Sequence, residues 1–171
     1  ADYLYNGLYS ELTNFKDIYR MASDTASSNY NKSYMGISLI CQSWIYSILT
    51  DTYGDIPYSQ SNQAKDSLRY EPKFDKQRDI YLDIFQKLEA ANTLLSSNTA
   101  IVAASDPVYY GNVARWRKFG NSLYLRLLLR VSGKTEVAAD AIAKIKEIAE
   151  TNTAAYPIIA GNDESAILRW T

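Results

Sequence analysis

A chain of 171 residues, 47% of them apolar and 22% charged, is long enough for one hydrophobic core and too ordinary in composition for a disordered tail. Its formal net charge of -1 gives no electrostatic case for nucleic acid, and no apolar run reaches the roughly 18 to 20 residues needed to span a bilayer. With no histidine and only Cys41, the usual parts of zinc, iron–sulfur and Cys-His chemistry are missing, and an internal disulfide is excluded.

The chain opens on Ala1 and Asp2 without an initiator Met or an apolar leader, so it reads as an internal piece of a longer protein. Leu4, Leu8, Leu12, Phe15 and Tyr19 recur at three- and four-residue spacing and predict a helix from about Tyr3 to Ala22. The loop SDTASSNYNKS follows. A second helix is expected from about Tyr34 to Tyr53, with Ile37, Ile40, Cys41, Trp44, Ile45, Ile48 and Leu49 on its apolar side and Gly54 as a left-handed C-terminal cap. Cys41 on that face reads as a buried, inert thiol.

Residues Asp55 to Phe74 carry two prolines and no sustained period, and so read as a long surface connection. Asp75 is placed to cap a third helix reaching about Leu95, with Tyr81, Ile84, Phe85 and Leu88 on one side and Asp79, Asp83, Lys87 and Glu89 largely on the other. Asn112 is placed to cap a fourth, striped by Trp116, Phe119, Leu123, Leu127 and Val131. Leu125, Leu128 and Leu129 make this helix apolar almost all round, which predicts a central position. A fifth helix is expected from Thr135 to about Thr151, and the tail AAYPIIAGNDESAILRWT reads as an extended segment. The fold class is therefore all-α, a TPR-like scaffold of about five helices with long loops and no convincing strand pair.

Chemistry-bearing positions are few. Asp51 and Asp55 bracket a helix end and form the least implausible carboxylate pair for glycoside hydrolysis, but turn-forming Asp is the simpler reading. Asn162 to Glu164 reads as a solvated acidic turn without the alternating oxygen ligands of a calcium loop. Arg115, Arg117, Lys118, Arg126 and Arg130 on the fourth helix call for structural ion pairs, with Asp51 or Asp55 as partners, or alternatively for an anionic ligand.

The 15 tyrosines, against 4 phenylalanines, are roughly three times the usual number for this length. They serve either amphipathic packing between helices or stacking on sugar rings. Two loops combine such rings with short amide and hydroxyl side chains, from Asp24 to Tyr34 and from Tyr58 to Tyr70. Tyr30, Tyr34, Tyr58 and Tyr70 are the candidate ligand-binding residues. Tyr109 and Tyr110 are a weaker pair that would equally staple the entry to the fourth helix.

Trp44, LTDTYGDIPYS from Leu49 to Ser59, Arg78 to Tyr81, Trp116 to Ser132 and Asn162 to Ala166 together resemble the SusD/RagB-like nutrient-binding outer-membrane lipoproteins in order and spacing. The resemblance implies a non-enzymatic surface protein that binds an oligosaccharide or peptide nutrient. It would act with a SusC-like TonB-dependent transporter, without a cofactor, metal or nucleic acid. It also implies a lipid anchor and a C-terminal portion outside this chain. Within it, DTYGDIPYS is expected to form a helix-to-loop corner, with Tyr53 and Tyr58 packing around Gly54 and Pro57. The competing reading is a TPR-type protein-interaction scaffold that holds a peptide or domain in a helix groove.

Overall fold

A computed structural model describes residues 2–63, 68 and 70–167. Among the described residues five α-helices carry the fold: α1 (Asp2–Ser23), α2 (Lys32–Tyr53), α3 (Gln77–Ser96), α4 (Val113–Val131) and α5 (Ala138–Lys146), the last running on into a π-helical turn at Glu147–Thr151. Contacts between successive helices run head to tail. The Ser38 hydroxyl near the start of α2 donates to the Phe15 carbonyl in the second half of α1, while Tyr53 at the far end of α2 meets Tyr5 with ring centroids 5.3 Å apart. Gln77 of α3 likewise donates to the Thr50 carbonyl near the end of α2 at 2.6 Å, and Arg117 of α4 reaches Asn92 of α3 at 2.7 Å. The result is the expected TPR-like stack of antiparallel helix pairs.

Local chemistry sets the helix starts. The Asn31 carboxamide accepts from Ser33 N and Tyr34 N at 2.9 and 3.1 Å, and that of Asn112 accepts from Arg115 N at 3.1 Å, each quenching donors that the first turn leaves unpaired. The third helix departs from expectation. Its start is capped from across the chain by Asp55, which accepts from Gln77 N at 3.0 Å, while Asp75 binds Ser59 N and the Ser59 hydroxyl. The exchange follows from a two-residue antiparallel ladder that sequence periodicity does not reveal: β1 (Ile56–Pro57) pairs with β2 (Phe74–Asp75), Ile56 opposite Asp75. The connection after α2 is also not wholly at the surface, because Ile56, Tyr58 and Ser61 are buried. Residues 64–67 and 69 of that connection, and 168–171 of the tail, lie outside the described residues.

The DTYGDIPYS corner forms as expected, although Gly54 departs from the left-handed helical region. It sits at φ 78° and ψ -122°, donates its N–H to Thr50 O at 2.9 Å and accepts from the Thr50 hydroxyl at 2.7 Å. Tyr9 of α1 locks the exit by donating to the Pro57 carbonyl at 2.6 Å.

The central helix is α2, not α4. Ser33, Ser38, Ser43 and Ser47 are buried along it together with Leu39, Ile40, Ile45, Tyr46 and Leu49, because small side chains let neighbours approach from several sides. Helix α4 keeps one face in water, with Leu129 56% exposed beside Arg126 and Arg130. Its Arg130 pairs with Asp51 at 2.9 Å, the structural ion pair expected from sequence. Cys41 is buried, and burial pushes its thiol up to about 12.

The tail, extended as expected, is strapped across α3 and α4. Asn92 and Arg117 both donate to the Ala155 carbonyl, at 3.0 and 2.7 Å, Asn121 donates to Pro157 O at 2.9 Å, and the Ser122 hydroxyl receives Ile159 N at 2.9 Å. The acidic turn that follows is fastened too: Glu164 pairs with Lys118, and its carbonyl accepts from Tyr109 OH at 2.9 Å.

Candidate functional site

The loop between α1 and α2 is built from short hydrogen bonds that small polar side chains supply. Asp24 accepts from Ala26 N at 3.0 Å, the Ser27 hydroxyl from Asn29 N at 3.1 Å, and Ala22 O from Asn31 N at 3.0 Å. A second loop is tied to it. Asn31 Nδ2 donates to Ala100 O at 2.9 Å, Ser33 Oγ to Thr99 O at 2.6 Å, and the Tyr34 hydroxyl receives Val102 N at 3.0 Å while sharing a hydrogen bond with Ser105.

Between these loops and α1 lies an open hollow of about 410 Å³, with Ile18, Met21 and Ala22 on one wall, residues 28–31 and Tyr34 on another, and Ser105 at the rim. Tyr30 is 40% exposed and Met21 55%. No side chain lining the hollow is charged. Flat apolar surface beside amides and hydroxyls can stack on a neutral ring and hydrogen-bond to its edge without desolvating an ion.

Tyr30 and Tyr34 are therefore brought together, whereas Tyr58 and Tyr70 are not. Tyr58 is 8% exposed, its ring 4.4 Å from that of Tyr46 and covered by Lys87 Nζ at 4.5 Å. Its hydroxyl donates to Asp83 and accepts from Lys87 at 2.6 Å, which leaves no free ring face for a sugar. Tyr70 stands 75% exposed. The Tyr109 ring is buried 5.3 Å from Trp116, so it staples the entry to α4, and Tyr110 faces solvent.

A charged hollow that sequence reasoning did not assemble surrounds Tyr58, with Lys16, Tyr46, Asp75, Asp79, Asp83 and Lys87 among its walls. Spacing on α3 advertised Asp79, Asp83 and Lys87, but Lys16 arrives from α1, where its ammonium donates to the Ser61 carbonyl and hydroxyl at 2.9 Å. Burial works to raise the Asp83 carboxyl, yet Lys87 and Tyr58 outweigh it and hold the group below its usual range. Burial, with Lys87 nearby, pushes Lys16 down to about 8.

These groups set an alkaline stability profile. Tyr9, Tyr46, Tyr58, Tyr81 and Tyr124 are all raised above the ordinary phenol value of 10.0, chiefly by burial. The unfolded chain therefore loses these protons first, so their contribution is whole below pH 10 and is lost above it. Lys16 acts in the opposite sense between about 8 and 10.5, where the folded chain binds fewer protons than the unfolded chain and stability rises with pH. The urea midpoint of the wild type is expected to climb from about pH 8 to 10 and then fall. Lys16→Met should abolish the climb and keep the fall; an unchanged climb would assign it to another group.

Asp51 and Asp55 are both committed to structural partners. Asp51 accepts from Tyr81 OH at 2.7 Å besides its Arg130 pair, and Asp55 holds Lys76 at 2.6 Å besides Gln77 N. Among the described residues no three metal-ligating side chains gather, and no helix is long and apolar enough to cross a membrane.

Comparison with known proteins gives a consistent family. The model described as "Starch-binding associating with outer membrane" (SusD-like) matches residues 1–171. Among solved structures, a chitin-binding protein is 29% identical with a TM-score of 0.76, over 95% of this chain and 32% of its own. A SusD homolog from Bacteroides uniformis gives 29% and 0.76 over 95% and 31%, and one from Bacteroides fragilis 27% and 0.75 over 94% and 32%. The chain thus spans about a third of the length of these relatives. No curated protein matches it. With the whole chain matched by the family model and the helical stack shared with these structures, the chain belongs to the SusD-like family of binding proteins associated with the outer membrane.

Proposed function

We propose that this chain is the helical scaffold of a non-enzymatic, surface-exposed lipoprotein that binds a neutral glycan and delivers it to a SusC-like TonB-dependent transporter. The observation that carries the ligand class is the uncharged hollow where Tyr30 and Tyr34 meet the amides of Asn29 and Asn31. The family description and the chitin-binding relative favour a polysaccharide fragment over a peptide. Of the four tyrosines first considered, Tyr30 and Tyr34 remain in the proposal; Tyr58 serves the core.

The test is calorimetric titration of the full-length protein with chito- and malto-oligosaccharides. Binding should survive high salt, since no ion pair is involved. Tyr30→Ala should weaken it about tenfold, the equivalent of about 1.4 kcal/mol, while Tyr34→Phe, which keeps the ring, should change it little. Unaltered affinity in Tyr30→Ala would remove this hollow from the reading. For the transporter, purification of the full-length protein from solubilised outer membranes should bring down a TonB-dependent barrel in stoichiometric amount; recovery of soluble proteins alone would favour the protein-interaction scaffold.

A further inference from the structure

A second cavity, of about 310 Å³, opens on the side of the scaffold where α3, the end of α4 and the turn before α5 meet. Its apolar surface comes from Leu82 and Phe85 of α3, Val131 of α4 and Val137. Leu82 is 37% exposed there, and Phe85 is held in an aromatic row by Tyr81 and Tyr124 at centroid distances of 5.9 and 5.6 Å. This surface is preformed rather than assembled by a ligand.

The cations around it differ in their commitments. Arg130 is bound to Asp51 at 2.9 Å, and Arg78 lies between Asp79 and Glu136 at 3.5 and 3.4 Å. Lys134 also lines the cavity, is exposed, and has no carboxylate within salt-bridge distance among the described residues. An apolar hollow with one uncommitted ammonium at its edge matches a ligand with an apolar body and a single negative end.

We infer that this cavity is a binding site for a small amphipathic monocarboxylate, the carboxylate meeting Lys134 and the hydrocarbon lying against Leu82, Phe85, Val131 and Val137. The paired arginines close the other charged positions, so a second negative group on the ligand would meet Asp51 or Glu136. A bare acid without hydrocarbon leaves the apolar walls wet, and a neutral alcohol leaves Lys134 unanswered.

The probe is sodium octanoate, titrated calorimetrically into the full-length protein, with 1-octanol and acetate as comparators. Octanoate should bind at least about tenfold more tightly than either. Raising NaCl from about 0.1 M to about 1 M should weaken it, since the Debye length shrinks from about 10 to about 3 Å. Lys134→Glu should lower octanoate affinity about tenfold and Lys134→Arg should retain it, neither affecting oligosaccharide binding at the Tyr30 hollow. Leu82→Glu, which puts a carboxylate into the wall, should abolish octanoate binding. Equal affinity for octanol and octanoate, or full affinity in Lys134→Glu, would overturn the inference.

Discussion

Asp106→Ala is expected to lower the unfolding free energy by about 4 kcal/mol, a large part of the roughly 5 to 15 kcal/mol that holds a domain together. The Asp106 carboxylate is buried and organises the whole entry to α4. One oxygen accepts from Val108 N and Tyr109 N, each at 3.1 Å, and the other from Gly111 N and the Trp116 indole, each at 2.9 Å. Removing it leaves four donors without an acceptor, and each buried unsatisfied donor costs about 1 to 3 kcal/mol, partly offset by no longer burying a charge. The four share one network, so the losses do not simply add. The loop they fix is already strained: Tyr110 sits at φ 51° and Gly111 at φ 84°, where a β-carbon on residue 111 would also come within 3.1 Å of Ala103. Asp106→Asn, which keeps one acceptor oxygen but turns an amide NH2 toward donors, should lose about half as much. Urea unfolding monitored by Trp fluorescence measures both; a loss below about 1 kcal/mol in Asp106→Ala would show that the loop holds without this carboxylate.

Gly36→Val is expected to cost about 3 kcal/mol for a different reason, that no room exists between α2 and α3. A β-carbon at position 36 would stand 2.7 Å from Leu95 Cγ and 3.3 Å from the Ala91 carbonyl. The branched side chain must push helix axes apart or force rotamers, at about 1 to 3 kcal/mol, and this outweighs the better helix propensity of valine over glycine. Leu95→Ala would destabilise alone by leaving a cavity, yet in the same chain as Gly36→Val it should return part of the loss. A double-mutant cycle by thermal unfolding should therefore show a favourable coupling of at least about 1 kcal/mol. Simple additivity would mean that the two positions do not compete for the same space.

The helices were legible because apolar residues at three- and four-residue spacing are a local signal, and so was the Asn112 cap, whose acceptor and donor lie within three residues; the Asn31 cap was not, because it sits in a run of loop-forming polar residues that set the expected helix start at Tyr34 instead of Lys32. The exchange of roles between Asp55 and Asp75 was not, since both precede the helix in plausible cap chemistry and only the pairing of Ile56 with Asp75 brings Asp55 to Gln77 N. The leucines set around α4 suggested it as the centre, but α2 is the more apolar helix, and its serines are small enough to be buried among close neighbours. The Tyr30 hollow could be found from a loop mixing rings with amides. The burial of Tyr58 could not, because it depends on Tyr46, Asp83 and Lys87 converging from other helices.

The strap across α3 and α4 gives this stack a sense of time as well as of space. Each helix packs on the next one in the chain, whereas Ala155 must find Asn92 across 63 positions and Arg117 across 38. Contacts of such separation carry a larger loop-closure cost than contacts within a helix and are expected to form after them. Asn92 and Asn121 are buried polar groups, and the carbonyls they face belong to the strap. Before it docks, the Asn92 and Asn121 amides have no strap carbonyl to meet, so docking is expected to expel water from a polar seam and undocking to readmit it.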